Sequence, residues 1–192
     1  MNRALVVFAV FVSLTATALL AVSSIPTKVY SQLPPPAQTE TPAIEGFSTY
    51  DDPGSLFSIQ YLSDWKILSS KVGDVTFTTP FDFGSGRQMS MVIIVVSDTK
   101  ATTLDQLATE EKLGLEHMPV VKAKVIDESQ ATLSGLPAHK IVADSTLSST
   151  PLTSIDIITL KNGKEYKVTY NVGQPDDLPI ILQMIDSFRI TQ

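Results

Sequence analysis

The chain contains no cysteine. A disulfide framework, a thiolate metal site and a lipidated-cysteine anchor are therefore excluded. Histidine is nearly as scarce. His117 and His139 are the only two, and neither has a second histidine three or four residues away, the spacing a transition-metal site usually uses. Basic charge is in the minority: 14 Lys and Arg face 20 Asp and Glu, for a formal net charge of −6 over 192 residues. No run of Lys and Arg occurs. Nucleic-acid binding draws on phosphate neutralisation and anionic lipid on clustered cations, so both are poor partners for this chain. There is one tryptophan, Trp65, and no internal repeat.

Charge is also missing from one long stretch. After Met1-Asn2-Arg3, the 19 residues from Ala4 to Val22 carry none. This reads as a secretory signal or as a single membrane anchor, since 19 apolar residues just reach across a bilayer core of about 30 Å. Val29-Tyr30-Ser31 offers a cleavage site, and we read cleavage there ahead of a retained anchor. Residues 1–31 are thus signal peptide or N-terminal anchor, and the rest of the chain is expected outside the cytoplasmic membrane, secreted or anchored. Without Arg3 and Lys28 the net charge becomes −8, which suits solubility. Residues 32–46 hold Pro34-Pro35-Pro36 and Pro42 among Gln, Thr, Glu and Ala, and read as a semi-rigid linker. Residues 47–192 are then one domain, large enough to bury a core without disulfides.

Within that domain, Phe57, Ile59 and Tyr61 fall on alternate positions, the period of a strand with one buried face. A Ser63-Asp64 corner follows, and then Trp65, a core anchor by size. Asp51-Asp52-Pro53-Gly54 is turn chemistry. Val75 to Thr79 is β-rich and ended by Pro80, and Phe81 to Arg87 is a loop. Met89 to Val96 is almost wholly apolar, as for a central strand covered on both faces. Thr103 and Gln106 predict a capping box; Leu104, Leu107, Ala108, Leu115 and Met118 share one face of the helix, and Pro119 ends it. Strands are expected over Val120 to Ile126, Gln130 to Leu133 and Ala138 to Ala143, with a tight bend at Gly135. Lys161-Asn162-Gly163-Lys164 joins two β runs as a hairpin. Asp176 is expected to cap a last helix, whose apolar face is Ile180, Ile181, Met184, Ile185 and Phe188. Antiparallel strands with two amphipathic helices make an α+β fold with helices packed on the sheet.

Catalytic signals are weak. Ser97-Asp98-Thr99-Lys100 matches Ser-x-x-Lys and Lys161-Asn162-Gly163 resembles Lys-Thr-Gly, but this serine closes a strand where a penicilloyl-serine enzyme opens a helix, and the Ser-Asp-Asn element is missing. Gly84-Ser85-Gly86-Arg87 leads into a strand, not the helix a phosphate cradle needs. No Gly-x-Ser-x-Gly elbow occurs. The expectation is a protein that is not an enzyme. The acidic loops Asp51-Asp52 and Asp176-Asp177, with Asp82, are candidate ligands for Ca²⁺ or Mn²⁺; turn initiation and helix capping are their structural alternatives, and no Asp-x-Asp-x-Asp-Gly loop is present.

Four segments in order resemble the PsbP-like domains. Phe57-Ser58-Ile59-Gln60-Tyr61-Leu62-Ser63-Asp64-Trp65 resembles their Phe-Ser-Ile-x-Tyr-Pro-x-x-Trp opening, with Leu62 in place of the usual proline. Leu133-Ser134-Gly135-Leu136-Pro137-Ala138 is similar to their Ser-Gly-x-Pro-Ala bend. Tyr166 to Tyr170 matches a late strand, and Met184-Ile185-Asp186-Ser187-Phe188 the closing helix. The resemblance implies an α-β-α sandwich around a central antiparallel sheet, the PsbP/Mog1 type, with Phe57, Tyr61, Trp65, Gly135 and Phe188 as structural positions. It also implies kinship with extrinsic photosystem II subunits that help retain Ca²⁺ and Cl⁻. This chain carries a microbial export signal instead of a transit peptide, and lacks the basic character that docking on an acidic photosystem would use. The function expected is an exported, non-catalytic binding or assembly module with a protein partner at a membrane or cell-surface complex. A divalent-cation or small-ligand binder is the alternative, and a hydrolase a distant third.

Overall fold

A computed structural model of the chain describes residues 44–80, 88–117, 123–147 and 150–192. The expected signal or anchor, residues 32–43 of the expected linker, the loop with Asp82, and Met118 and Pro119 lie outside the described residues. Among the described residues, no helix is long and apolar enough to cross a membrane.

The elements in chain order are β1 (Phe47–Asp51), β2 (Phe57–Leu62), β3 (Lys66–Lys71), β4 (Asp74–Thr78), β5 (Met91–Asp98), α1 (Leu104–Glu116), β6 (Lys124–Leu133), β7 (Leu136–Leu147), β8 (Thr150–Lys161), β9 (Lys164–Asn171), α2 (Leu178–Ser187) and β10 (Arg189–Ile190). A seven-stranded antiparallel sheet runs in the order β3-β4-β5-β9-β8-β7-β6, and a three-stranded one in the order β1-β2-β10. Two of the tight hairpins use left-handed backbone at both central residues: Ser134 and Gly135 (φ 53° and 75°) join β6 to β7, and Asn162 and Gly163 (φ 52° and 73°) join β8 to β9. That pair of conformations twists with the flanking strands, and glycine adopts it without a Cβ penalty.

Side chains alternate across each strand, so the large sheet has two faces with different cover. One face carries Phe77, Val92, Ile94, Tyr166 and Val168. It packs with Phe57 and Ile59 of the small sheet and with Ile181, Met184, Ile185 and Phe188 into the main core. Trp65, in the turn after β2, is 5% exposed and belongs to the same cluster. Its rings stack in series: Phe57 and Phe188 lie 5.4 Å apart between centroids, and Tyr61 lies 4.8 Å from Phe77. The Ser187 hydroxyl ties α2 to β2, accepting from the Gln60 N–H at 2.9 Å and lying 2.6 Å from the Met184 carbonyl, to which it donates.

On the other face lies α1, over β6, β7 and β8. Its seat is a smaller apolar cluster of Leu107, Ala108, Leu115, Ile141, Ala143 and Ile158. Thr103 caps it by accepting from the Gln106 N–H at 3.2 Å. Gln106 reaches back to the N–H of Thr102, at 3.1 Å, one residue before the position a capping box uses.

Three expectations are revised. Met89–Val96 is not covered on both faces: Val92 and Ile94 are fully buried while Met91, Ile93 and Val95 are half-buried, because α1 crosses the sheet further along. Val120 to Lys122 lie outside the described residues, and the remainder of that segment is not separate from Gln130–Leu133: β6 is continuous from Lys124, with a register shift between Val125 and Asp127. Asp176 does not cap α2. It sits in a single 3-10 turn, Pro175–Asp177, and α2 begins after it without a side-chain cap. The chain is also tied into the domain before Phe47, since the Ile44 N–H donates to Gln60 Oε1 at 2.9 Å.

Candidate functional site

The two acidic loops turn out to hold backbone and hydroxyl partners. Asp52 is 3% exposed. Its Oδ2 accepts from the N–H of Gly54 (2.8 Å) and of Leu56 (3.2 Å), and its Oδ1 from that of Gly73 (2.6 Å). One carboxylate thus shapes the β1–β2 loop and clamps it to the β3–β4 turn. Asp51, beside it, is exposed. Asp177 accepts from the Ser90 hydroxyl at 2.5 Å, and Ser90 Oγ accepts in turn from the Gly173 N–H at 2.7 Å. Asp176 is exposed. Among the described residues, no three of His, Asp and Glu are placed to hold a metal ion. Pairing does bring the two segments weighed as a serine–lysine motif together, through Thr99 N–H to Gly163 O (3.1 Å) and Lys164 to Asp98 (2.6 Å). Ser97 is exposed at the end of β5, and no hydrogen bond joins it to Lys100.

Charge gathers instead beneath α1. His139, on β7, stands between Asp105 of α1 and Glu128 of β6. Its Nε2 lies 3.1 Å from Asp105 Oδ1 and its Nδ1 3.1 Å from Glu128 Oε1, the latter out of line for a hydrogen bond. Lys112 of α1 closes the group at 2.6 Å from Glu128 Oε2. The Lys112 ammonium, and then His139, hold the Glu128 carboxyl below its usual range against the effect of burial. A lowered carboxylate stabilises the fold above its unfolded-state pKa and loses that contribution as pH falls through the lowered value. Both partners are partly solvated, so Lys112→Ala is expected to cost under about 1 kcal/mol near neutral pH. The cost should vanish in acid, as urea titrations at the two pH values would show.

A second group lies deeper. Lys167 of β9 makes a two-pronged ion pair with Glu111 of α1, at 3.0 and 3.1 Å. Asp156 of β8 is 3% exposed and faces Thr169 across the strands. Glu165 of β9 completes the set. Burial pushes the Asp156 carboxyl upward, opposed by the Thr169 hydroxyl and helped by Glu111. Burial likewise raises Glu165, with Glu111 and Asp156 adding to it and Lys167 opposing. Burial disfavours the Lys167 charge, but Glu111, Glu165 and Asp156 outweigh it, so the ammonium is held above the ordinary lysine range. An amine so firmly protonated is no nucleophile.

One edge of the large sheet is different in kind. All six residues of β3 are exposed. Ile67 and the bulge residue Leu68 (53% exposed) point out of the fold, as does Val72 in the following turn (62%). Lys66 and Lys71 mark the ends of the strand. The outward N–H and C=O groups of an edge strand can pair with another chain, and the bulge and lysines restrict which chain can do so.

An antiparallel sheet carrying helices on both faces, with a small second sheet at its side, is the PsbP/Mog1-like architecture, and the domain is PsbP-like in fold. No family model matches the sequence, and no curated protein matches it. Solved structures do. The solution structure of cyanobacterial PsbP from Synechocystis sp. PCC 6803 aligns with a TM-score of 0.53 at 13% identity, over 77% of this chain and 94% of that one. A crystal structure of a Bacteroides thetaiotaomicron protein aligns at 0.54 and 15%, over 77% of this chain and 49% of that one. The Saccharomyces cerevisiae Ran-binding protein Mog1p aligns at 0.51 and 8%, over 76% and 96%.

Proposed function

We propose that this protein is an exported, non-catalytic binding module that joins a membrane-associated or cell-surface complex through a protein partner. The observation that carries the reading is β3, an edge strand presenting Ile67 and Leu68, whose outer backbone groups pair with no other strand among the described residues. Edges of this kind capture extended segments of other proteins, the main chain giving affinity and side-chain contacts selectivity. Two features support it. The fold is shared with a protein described as Ran-binding, and the charge-free run Ala4–Val22 supports export. The clusters beneath α1 serve attachment of the helix, and none of their groups is a nucleophile beside a base.

Affinity capture of membrane extracts on the full-length chain tests the reading. The wild type is expected to retain a stoichiometric partner, and Leu68→Glu to weaken that complex about tenfold or more, since an apolar contact is replaced by a charge at the interface. Recovery of no partner by the wild type, or equal recovery by Leu68→Glu, would sink the proposal.

A further inference from the structure

In the deeper group beneath α1 there is one ammonium, Lys167, for three carboxyl groups, Glu111, Asp156 and Glu165. Lys167 spends its charge on both oxygens of Glu111. Asp156 and Glu165 are left with one oxygen each, Oδ1 and Oε1, that is buried and meets no donor. A buried carboxylate oxygen without a donor is costly, whereas a neutral carboxyl group is far cheaper to bury. The smallest ligand that removes the charge is a proton, and it needs no cavity.

We propose that Asp156 is a proton-binding site in the folded protein, with Glu165 a second carboxyl facing the same Lys167, and that proton occupancy controls how firmly α1 is seated on the sheet. Among the described residues, the charged groups that act on Asp156 are Glu111 from α1 and Lys167 from β9, and those that act on Glu165 are Glu110 and Glu111 from α1, Asp156 from β8 and Lys167 from β9. The neighbours across the strand from Asp156 and Lys167 are uncharged, Ile141 on β7 and Val95 on β5. With the proton bound, Lys167 belongs to Glu111, and the pair bridges sheet and helix. With the proton released to solvent, Asp156 and Glu165 compete for Lys167. They also repel Glu111, which is the helix's own anchor. The apolar seat of α1 is made of small and medium side chains, so this electrostatic change acts on a modest interface.

The direction follows from linkage. Both carboxyl groups are raised above their ordinary values of 3.8 and 4.5. Their contribution is complete below those values and drains away as pH rises through the raised ones. This is opposite in sign to the contribution of Glu128, the β6 carboxylate that anchors the same helix through Lys112.

Carbon-13 NMR of the side-chain carboxyls, read with amide exchange of α1 in the full-length protein, tests both halves. The Asp156 carboxyl is expected to titrate above the ordinary aspartate range. As pH rises past the ordinary aspartate value, opening of α1, after correction for intrinsic exchange, should increase, about tenfold for each unit by which proton binding is strengthened. Asp156→Asn, and separately Glu165→Gln, should flatten that rise without changing exchange in the main core. Titration of Asp156 at or below the ordinary range overturns the proton site. A raised Asp156 with pH-independent opening of α1, or an unchanged profile in Asp156→Asn, overturns the coupling.

Discussion

Truncating Trp65 to alanine is expected to destabilise the domain by about 3–5 kcal/mol, the range for removing a large aromatic from a packed core. The indole is 5% exposed and lies in the cluster that holds Met184 and Phe188 from the closing helix. It leaves the turn after β2, where the backbone N–H of Trp65 donates to the Leu62 carbonyl at 2.9 Å. The backbone beneath it is therefore fixed and cannot collapse into the vacated space. Urea unfolding followed by far-UV circular dichroism gives the number, and Trp65→Phe should recover most of the loss. A cost below about 1 kcal/mol would place the indole outside the core.

Asp52→Ala is expected to be of similar size, about 3 kcal/mol or more, for a different reason. Three backbone N–H groups lose their acceptor at once, and each buried donor left unpaired costs about 1–3 kcal/mol. The costs are not additive, because the loop from Gly54 to Leu56 can relax towards water while Gly73 cannot. Asp52→Asn keeps one acceptor oxygen and should restore part of the loss. Exchange of the Gly73 amide should accelerate most in the alanine variant. An unchanged Gly73 amide would mean that the clamp carries no load.

The contrast between these two residues shows what local pattern reveals. Trp65 was legible because size and position after a strand corner both point inward. The hairpins at Gly135 and Gly163 and the cap at Thr103 were legible because their chemistry lies within four residues. Asp52 read as a turn former, and so it is, but its bond to Gly73 spans 21 residues and leaves no local trace. The cluster beneath α1 was missed for a related reason. Glu165, Lys167 and Thr169 alternate with Tyr166, Val168 and Tyr170, which reads as an ordinary wet face. Nothing in that alternation says that a helix covers it. The one available signal was Asp156, a carboxylate between Ile155 and Ile157 in a strand of the sheet interior. The same blindness explains Met89–Val96: an apolar run gives the strand, but not the line along which the helix crosses the sheet.

The order of strands also sets when the molecule can finish folding. From β6 to β9 every pairing joins chain neighbours, so that part can assemble as it is made. The first five strands also pair between neighbours, β1 with β2 and β3 with β4 and β5, but they cannot join the rest as they are made. Their seam is with β9, joining Met91 to Asn171 and Asp98 to Lys164, and their core closes only when α2 and β10 arrive against β2. Loop closure over such spans comes late. A chain emerging from the ribosome thus leaves the core face of its amino-terminal strands uncovered until α2 and β10 have been synthesised. On the export reading this delay is useful, because a polypeptide must be unfolded while it is threaded through a membrane.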